Sequence, residues 1–173
     1  MSVVLPVLRA LPLSTEAVAP FGALLSPPAY APSLERSDIT FWNSTADLSG
    51  LAGSGVAGHL IARRRELTLT RIERHVHTPE AFIATARRSL MVVGAPGEVD
   101  PEHLRAFEIS AGQAMLLRPG AWHWAPYPLS KAAIFLLILR AETSEHDIEM
   151  HDVPAHRLEP LAHEGSSSHG PSP

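Results

Sequence analysis

Two stretches of this chain hold side chains that can do chemistry. In "ERHVHTPEAF", Glu73, His75 and His77 lie two apart, so on an extended strand all three point to one face. Glu80 follows after Thr78-Pro79. In "GQAMLLRPGAWHWAP", His123 stands between Trp122 and Trp124, directly after the turn signal Arg118-Pro119-Gly120. Imidazoles and carboxylates that converge on one cavity suit a divalent cation such as zinc, manganese, nickel or iron. The same groups serve general acid–base work on a hydroxy or keto acid. Each stretch also has a plain structural reading: a solvated strand face for "ERHVH", and a core or rim histidine for His123. In a regular strand Trp122 and Trp124 face away from His123. His146, His151, His156, His163 and His169 show no ligand spacing and read as surface.

The elements that must position these groups read as β. From His59 onward the pattern has period two, with a phase shift near Thr70–Ile72 in "ELTLTRIERHVH". "AFIATARRSLMVVG", "RAFEIS", "AMLLRPG" and "KAAIFLLILRA" follow as short strands, the last of them central. Five or six such strands, with turn signals between them, predict an all-β barrel or sandwich. Ahead of them, "LPLSTEAVAPFGALL" predicts a helix of about six residues. It is capped by Ser14 or Thr15, stopped at Pro-Phe-Gly, and followed by a strand near Ala23–Leu25. Residues 27–38 and the Gly-rich "LSGLAGSGVAG" read as loops; the latter has neither the lysine nor the helix of a phosphate cradle. The chain reads as one domain over 1–160, with a disordered low-complexity tail over 161–173.

Composition narrows the function. The net charge of −4 over 173 residues argues against nucleic acid or an anionic membrane as partner. With no cysteine, thiolate chemistry and disulfides are excluded. No window has the length of a membrane-spanning helix, and the N-terminus lacks the pattern of a signal peptide, so the cytoplasm is the expected location.

Gly112, then Arg118-Pro119-Gly120-Ala121-Trp122-His123, resembles the second cupin motif, and "ERHVHTPEAFIATARR" stands where the first would be. More specifically, "PLSTEAVAPFGALL", "IERHVHTPEAFI" and "PGAWHWAP" are similar to the corresponding pieces of the ureidoglycolate lyase family. The resemblance implies a cupin-type double-stranded β-helix (a jelly-roll barrel) with one or two short helices, working as a homodimer. It implies a carbon–nitrogen lyase of the amidine-lyase type, releasing urea and glyoxylate from ureidoglycolate in allantoin and purine catabolism. Carried over, the pocket falls on Glu73, His75 and His123, with Glu80 where the family usually has Gln. Several positions depart from the family: Trp124 replaces a His, Ala84 a Pro, and Arg87-Arg88 a Lys-Gly. Near Asn43 and Ala46 a family arginine is missing.

Glu80 adds a second carboxylate to a pocket that already contains Glu73, and two carboxylates in a dry site repel unless a cation or a proton intervenes. A divalent metal is therefore expected, with ligands from Glu73, His75, Glu80 and His123 and His77 as substitute, and no organic cofactor. His75 or Glu73 is expected as base and His123 as ligand or proton donor. Arg63 or Arg118 would clamp the substrate carboxylate, with Asn43 and Trp124 completing the substrate contacts. The rival readings are a cupin lyase, isomerase or decarboxylase acting on another small acid, and a non-catalytic module that binds a carboxylate or metal.

Overall fold

The computed structural model of the protein describes residues 4–28 and 30–162. The expected tail falls almost entirely outside them, as do His163 and His169. In chain order the elements are β1 (Val7–Pro12), α1 (Thr15–Val18), β2 (Gly22–Leu24), β3 (Leu34–Glu35), β4 (Thr40–Phe41), β5 (Gly55–Arg63), β6 (Thr68–Arg74) and β7 (Glu80–Ala86). They continue with β8 (Ser89–Gly94), β9 (Arg105–Ile109), β10 (Ala114–Leu117), β11 (Trp122–His123), β12 (Tyr127–Pro128), β13 (Ala132–Arg140), α2 (Thr143–His146) and β14 (Glu149–Glu159).

One sheet runs β11-β6-β14-β1-β9-β8-β12, and an extra pairing of β11 with β8 closes its first six strands into a ring. A second sheet runs β2-β10-β7-β13-β5. The ring is filled by Leu69 and Ile72 of β6, Leu90 and Val92 of β8, Ala106, Trp122, Val153 and Leu158. A second core lies between β8–β9 and the other sheet, built from Met91, Val93, Phe107, Ile109, Phe82, Met115 and Phe135. Strand β8 contributes alternate residues to both cores, which is why all six of its residues are buried and its sequence carries no polar alternation.

The nearly all-β barrel architecture expected from the sequence is present, with two four-residue α-helices among the described residues. Ser14 caps α1 as expected, its side chain accepting from the Ala17 N–H. The helix is shorter than expected because Pro20 and Gly22 stop it at once. Strand β5 starts at Gly55, earlier than the period-two signal at His59, because β13 pairs with it along its whole length. Fourteen strands stand among the described residues where five or six were expected. Strands of two or three residues show no periodicity, and the eleven residues of β14 were hidden by their charged, Pro-containing composition. Its register against β6 shifts between Asp152 and His156, and there His156 is buried rather than at the surface, hydrogen-bonded to the Pro154 carbonyl.

Candidate functional site

The site forms where β6 and β11 end beside the start of β7. His123 pairs directly with Glu73 across the β11–β6 ladder and with Val93 of β8 on its other side. The preceding turn holds it there: Gly120 adopts φ +80, and its N–H donates to the His75 carbonyl at 2.7 Å, tying the turn to the end of β6. As the alternation predicts, Trp122 faces the opposite way, into the ring, under the Arg74 guanidinium at 4.4 Å. His123 instead turns to the second core, with Phe82 edge-on at 5.6 Å and His75 at 5.2 Å.

Glu73, His75 and His123 each offer a ligand atom within 4.8 Å of the others. Glu80 lies between the imidazoles, its Oε2 3.1 Å from His75 Nε2 and 3.2 Å from His123 Nε2, and Glu73 Oε1 is 3.8 Å from the latter. The tautomers follow from the other ring nitrogens. His75 Nδ1 donates to the Asp147 carbonyl at 2.7 Å, and His123 Nδ1 faces the Ala121 carbonyl at 3.2 Å. A carbonyl only accepts, so both Nδ1 atoms carry the proton. A neutral imidazole then turns a bare Nε2 lone pair toward the carboxylates. His123 Nε2 is buried and, for all its proximity to Glu80, has no aligned hydrogen-bond partner among the described residues. Two lone pairs and two carboxylates aimed at one point need protons or a cation between them, and this donor set fits a divalent metal.

The charges agree. Burial would raise the Glu80 carboxyl, but the imidazoles of His123 and His75 outweigh it and hold it down to about 2. Burial would lower the His75 pKa, yet Glu80, the Asp147 carbonyl and Glu73 together raise it. In metal-free protein the Glu80 contribution to stability is therefore present above about 4.5 and lost as pH falls toward about 2. The His75 contribution is full below 6.5 and lost as pH rises through its elevated value. Thermal unfolding in chelator is expected to show the pair contributing most between those limits. Glu80→Gln should flatten the profile, and an unchanged profile in that variant would refute the pairing.

His77 does not join the site. The chain leaves β6 after Arg74, and His77 turns its side chain out to solvent, 75% exposed. Asp147, which no sequence signal singled out, causes this turn. Its buried carboxylate accepts from the N–H groups of Val76 and His77, from Thr78 Oγ1 and from His77 Nδ1, at 2.7–3.2 Å. Burial opposes ionisation of Asp147, but these donors keep its pKa lowered.

The four expected substrate contacts stand elsewhere. Asn43 is in an exposed loop, its N–H donating to Ser33 Oγ. Arg118 donates to the Ala19 carbonyl. Trp124 packs against the ring core. Arg63 ends β5 and lines a cavity with Arg87 and Lys131. Among the described residues, no hydrogen bond, ion pair or ring contact links these four to the Glu73–His75–Glu80–His123 cluster.

The ureidoglycolate lyase family model matches residues 5–159. The chain is 30% identical to a ureidoglycolate lyase of Burkholderia cepacia over 146 residues, 78% of this chain and 80% of that one. It is 29% identical to one of Mesorhizobium japonicum over 159 residues, 87% of this chain and 96% of that one. Among solved structures, the 3,4-ketoisomerase QdtA of Thermoanaerobacterium thermosaccharolyticum superposes with a TM-score of 0.43 at 10% identity, covering 75% of this chain and 83% of that one.

Proposed function

The chain belongs to the ureidoglycolate lyase family, and from that premise we propose that it splits ureidoglycolate into glyoxylate and urea at the Glu73–His75–Glu80–His123 cluster. The observation that carries this reading is the convergence of the His75 and His123 Nε2 atoms and two carboxylates on one point, with the Glu73 side chain 20% open to solvent.

The substrate carries a hydroxyl and a urea nitrogen on the same carbon. Cleavage moves the hydroxyl proton to that nitrogen, while the O–H electron pair forms the aldehyde C=O and the C–N pair leaves with urea. Glu73 is the cluster carboxylate with most exposure, its side chain 20% open, so it suits a base that takes the hydroxyl proton and returns it to the departing nitrogen. Glu80, ionised and buried, fixes the two imidazoles. Asp147 and Ala121 hold their Nδ1 atoms, and Phe82 keeps water from the His123 face. Glu73, His75 and His123, with Glu80 alongside, would hold a divalent metal, manganese, nickel, zinc or iron. That metal would supply Lewis acidity toward the hydroxy-acid oxygens.

The enzyme is read as a cytoplasmic homodimer of allantoin and purine catabolism. The free edge of β5, with Val56 and Ile61 exposed, supports pairing. The deciding experiment is glyoxylate release from racemic ureidoglycolate with manganese or with chelator. Consumption of half the substrate, faster with manganese, is the expected result. No release above the spontaneous background would move the protein to another small hydroxy or keto acid.

A further inference from the structure

The charge of this chain is unevenly placed. Three connections meet at the end of the barrel away from the cluster just described: residues 63–67, the crossing 87–88 between β7 and β8, and residues 129–131. They are tied together by backbone bonds, Arg64 N–H to the Lys131 carbonyl and Leu129 N–H to the Arg88 carbonyl, each at 3.0 Å. Arg63, Arg87 and Lys131, all exposed, surround a cavity of about 490 Å³ that Ser130 and Ala132 complete. Arg87, Arg88, Leu129 and Ser130 line an adjoining one of about 460 Å³.

The nearby cations differ in what they already hold. Arg88 pairs with Glu108, Arg64 donates to the Leu129 carbonyl, and Arg65 donates to Pro126 and Ala125 while lying over Tyr127. Among the described residues no carboxylate pairs with Arg63, Arg87 or Lys131. Arg87 also sits at φ +67, a left-handed backbone conformation that glycine adopts freely and a long side chain does not. A guanidinium is thus kept at a strained position beside two further unpaired cations.

We propose that this cavity binds a small, multiply charged oxyanion such as a phosphorylated metabolite, separately from the lyase cluster. Cations brought together without counter-charges repel, and an anion with several oxygens relieves that repulsion while the arginines offer paired donors. The net charge of −4 and the small volume of the cavity favour a compact ligand over a nucleic-acid backbone or membrane surface. The two sites are apart: His123 pairs with Val93, and β8 separates Val93 from Arg88 by about 16 Å of extended chain at ~3.3 Å per residue. The proposal stands whether or not ureidoglycolate is the substrate.

The test is calorimetric titration of the full chain with pyrophosphate. Saturable one-site binding is expected. Lys131→Gln and Arg87→Gly should each weaken it about tenfold, the loss of one charge-assisted contact. His123→Ala should bind as the parent does, excluding chelation at the metal cluster. Arg87→Gly should melt no lower than the parent, because glycine relieves the positive φ. Absence of saturable binding, full binding in both charge variants, or loss of binding in His123→Ala would each overturn the proposal.

Discussion

Replacing His123 by alanine is expected to abolish stoichiometric divalent-cation binding and to slow ureidoglycolate cleavage by about 10²–10⁴-fold. The expectation rests on position more than residue type. Nε2 of His123 is buried, has no aligned hydrogen-bond partner among the described residues and lies 3.8 Å from Glu73 Oε1 and 3.2 Å from Glu80 Oε2. Its ring is held by Phe82 on one side and the β11–β6–β8 pairing on the other. The substitution also empties a site beside Phe82, at an expected cost of about 2 kcal/mol in metal-free stability. Metal content after dialysis and single-substrate kinetics measure the first effects, and chemical denaturation the third. A folded His123→Ala protein that still holds one equivalent of metal would show that the ligands lie elsewhere. Glu73→Gln separates the roles: it should lose rate more than metal, because two imidazoles and Glu80 remain.

The largest stability effect is expected at Asp147. Its carboxylate is buried and takes hydrogen bonds from Val76, His77 and Thr78, closing the turn that ends β6. Alanine removes the buried acceptor that these donors share, costing about 3–4 kcal/mol and lowering the melting temperature by roughly 10 °C. The Asp147 carbonyl, which accepts from His75 Nδ1, moves if that turn loosens, so metal affinity should fall about 10–100-fold in the same variant. Acid behaviour gives an independent check. The Asp147 pKa is lowered by its donors, so its contribution is present above about 3.8 and lost as pH falls through the folded value. The parent should therefore lose more stability than the variant on acidification below pH 4. Equal losses in both would mean that the carboxylate does not cap this turn when ionised.

Much of the candidate site was legible in short stretches. Glu73 and His75 stand two apart at the end of a period-two run, and they meet in the cluster although His75 lies one residue beyond β6. Strand alternation turned Trp122 into the ring and His123 toward the second core. Arg118-Pro119-Gly120 made the turn that aims His123, with the positive φ at Gly120 that its residue type allows. Glu80, read as a second carboxylate in the pocket, lies between the imidazoles.

Other features had no local signal. Alternation would have carried His77 into the cluster, but it holds only while the strand lasts. The strand ends where Asp147, about seventy residues away in the sequence, gathers the next amides. Arg63 and Arg118 have the chemistry of a carboxylate clamp, yet Arg63 ends a strand at the far end of the barrel and Arg118 is spent on the Ala19 carbonyl. Strand β8 showed no alternation because it is covered on both faces, a fact of sheet closure. The sequence by itself determined which side chains alternate, where the turns fall and which groups are capable of holding a cation. Tertiary structure alone decided where each strand stops and which remote groups meet there. Periodicity constrains neighbours along a chain, whereas a hydrogen bond or an ion pair depends on distance in space.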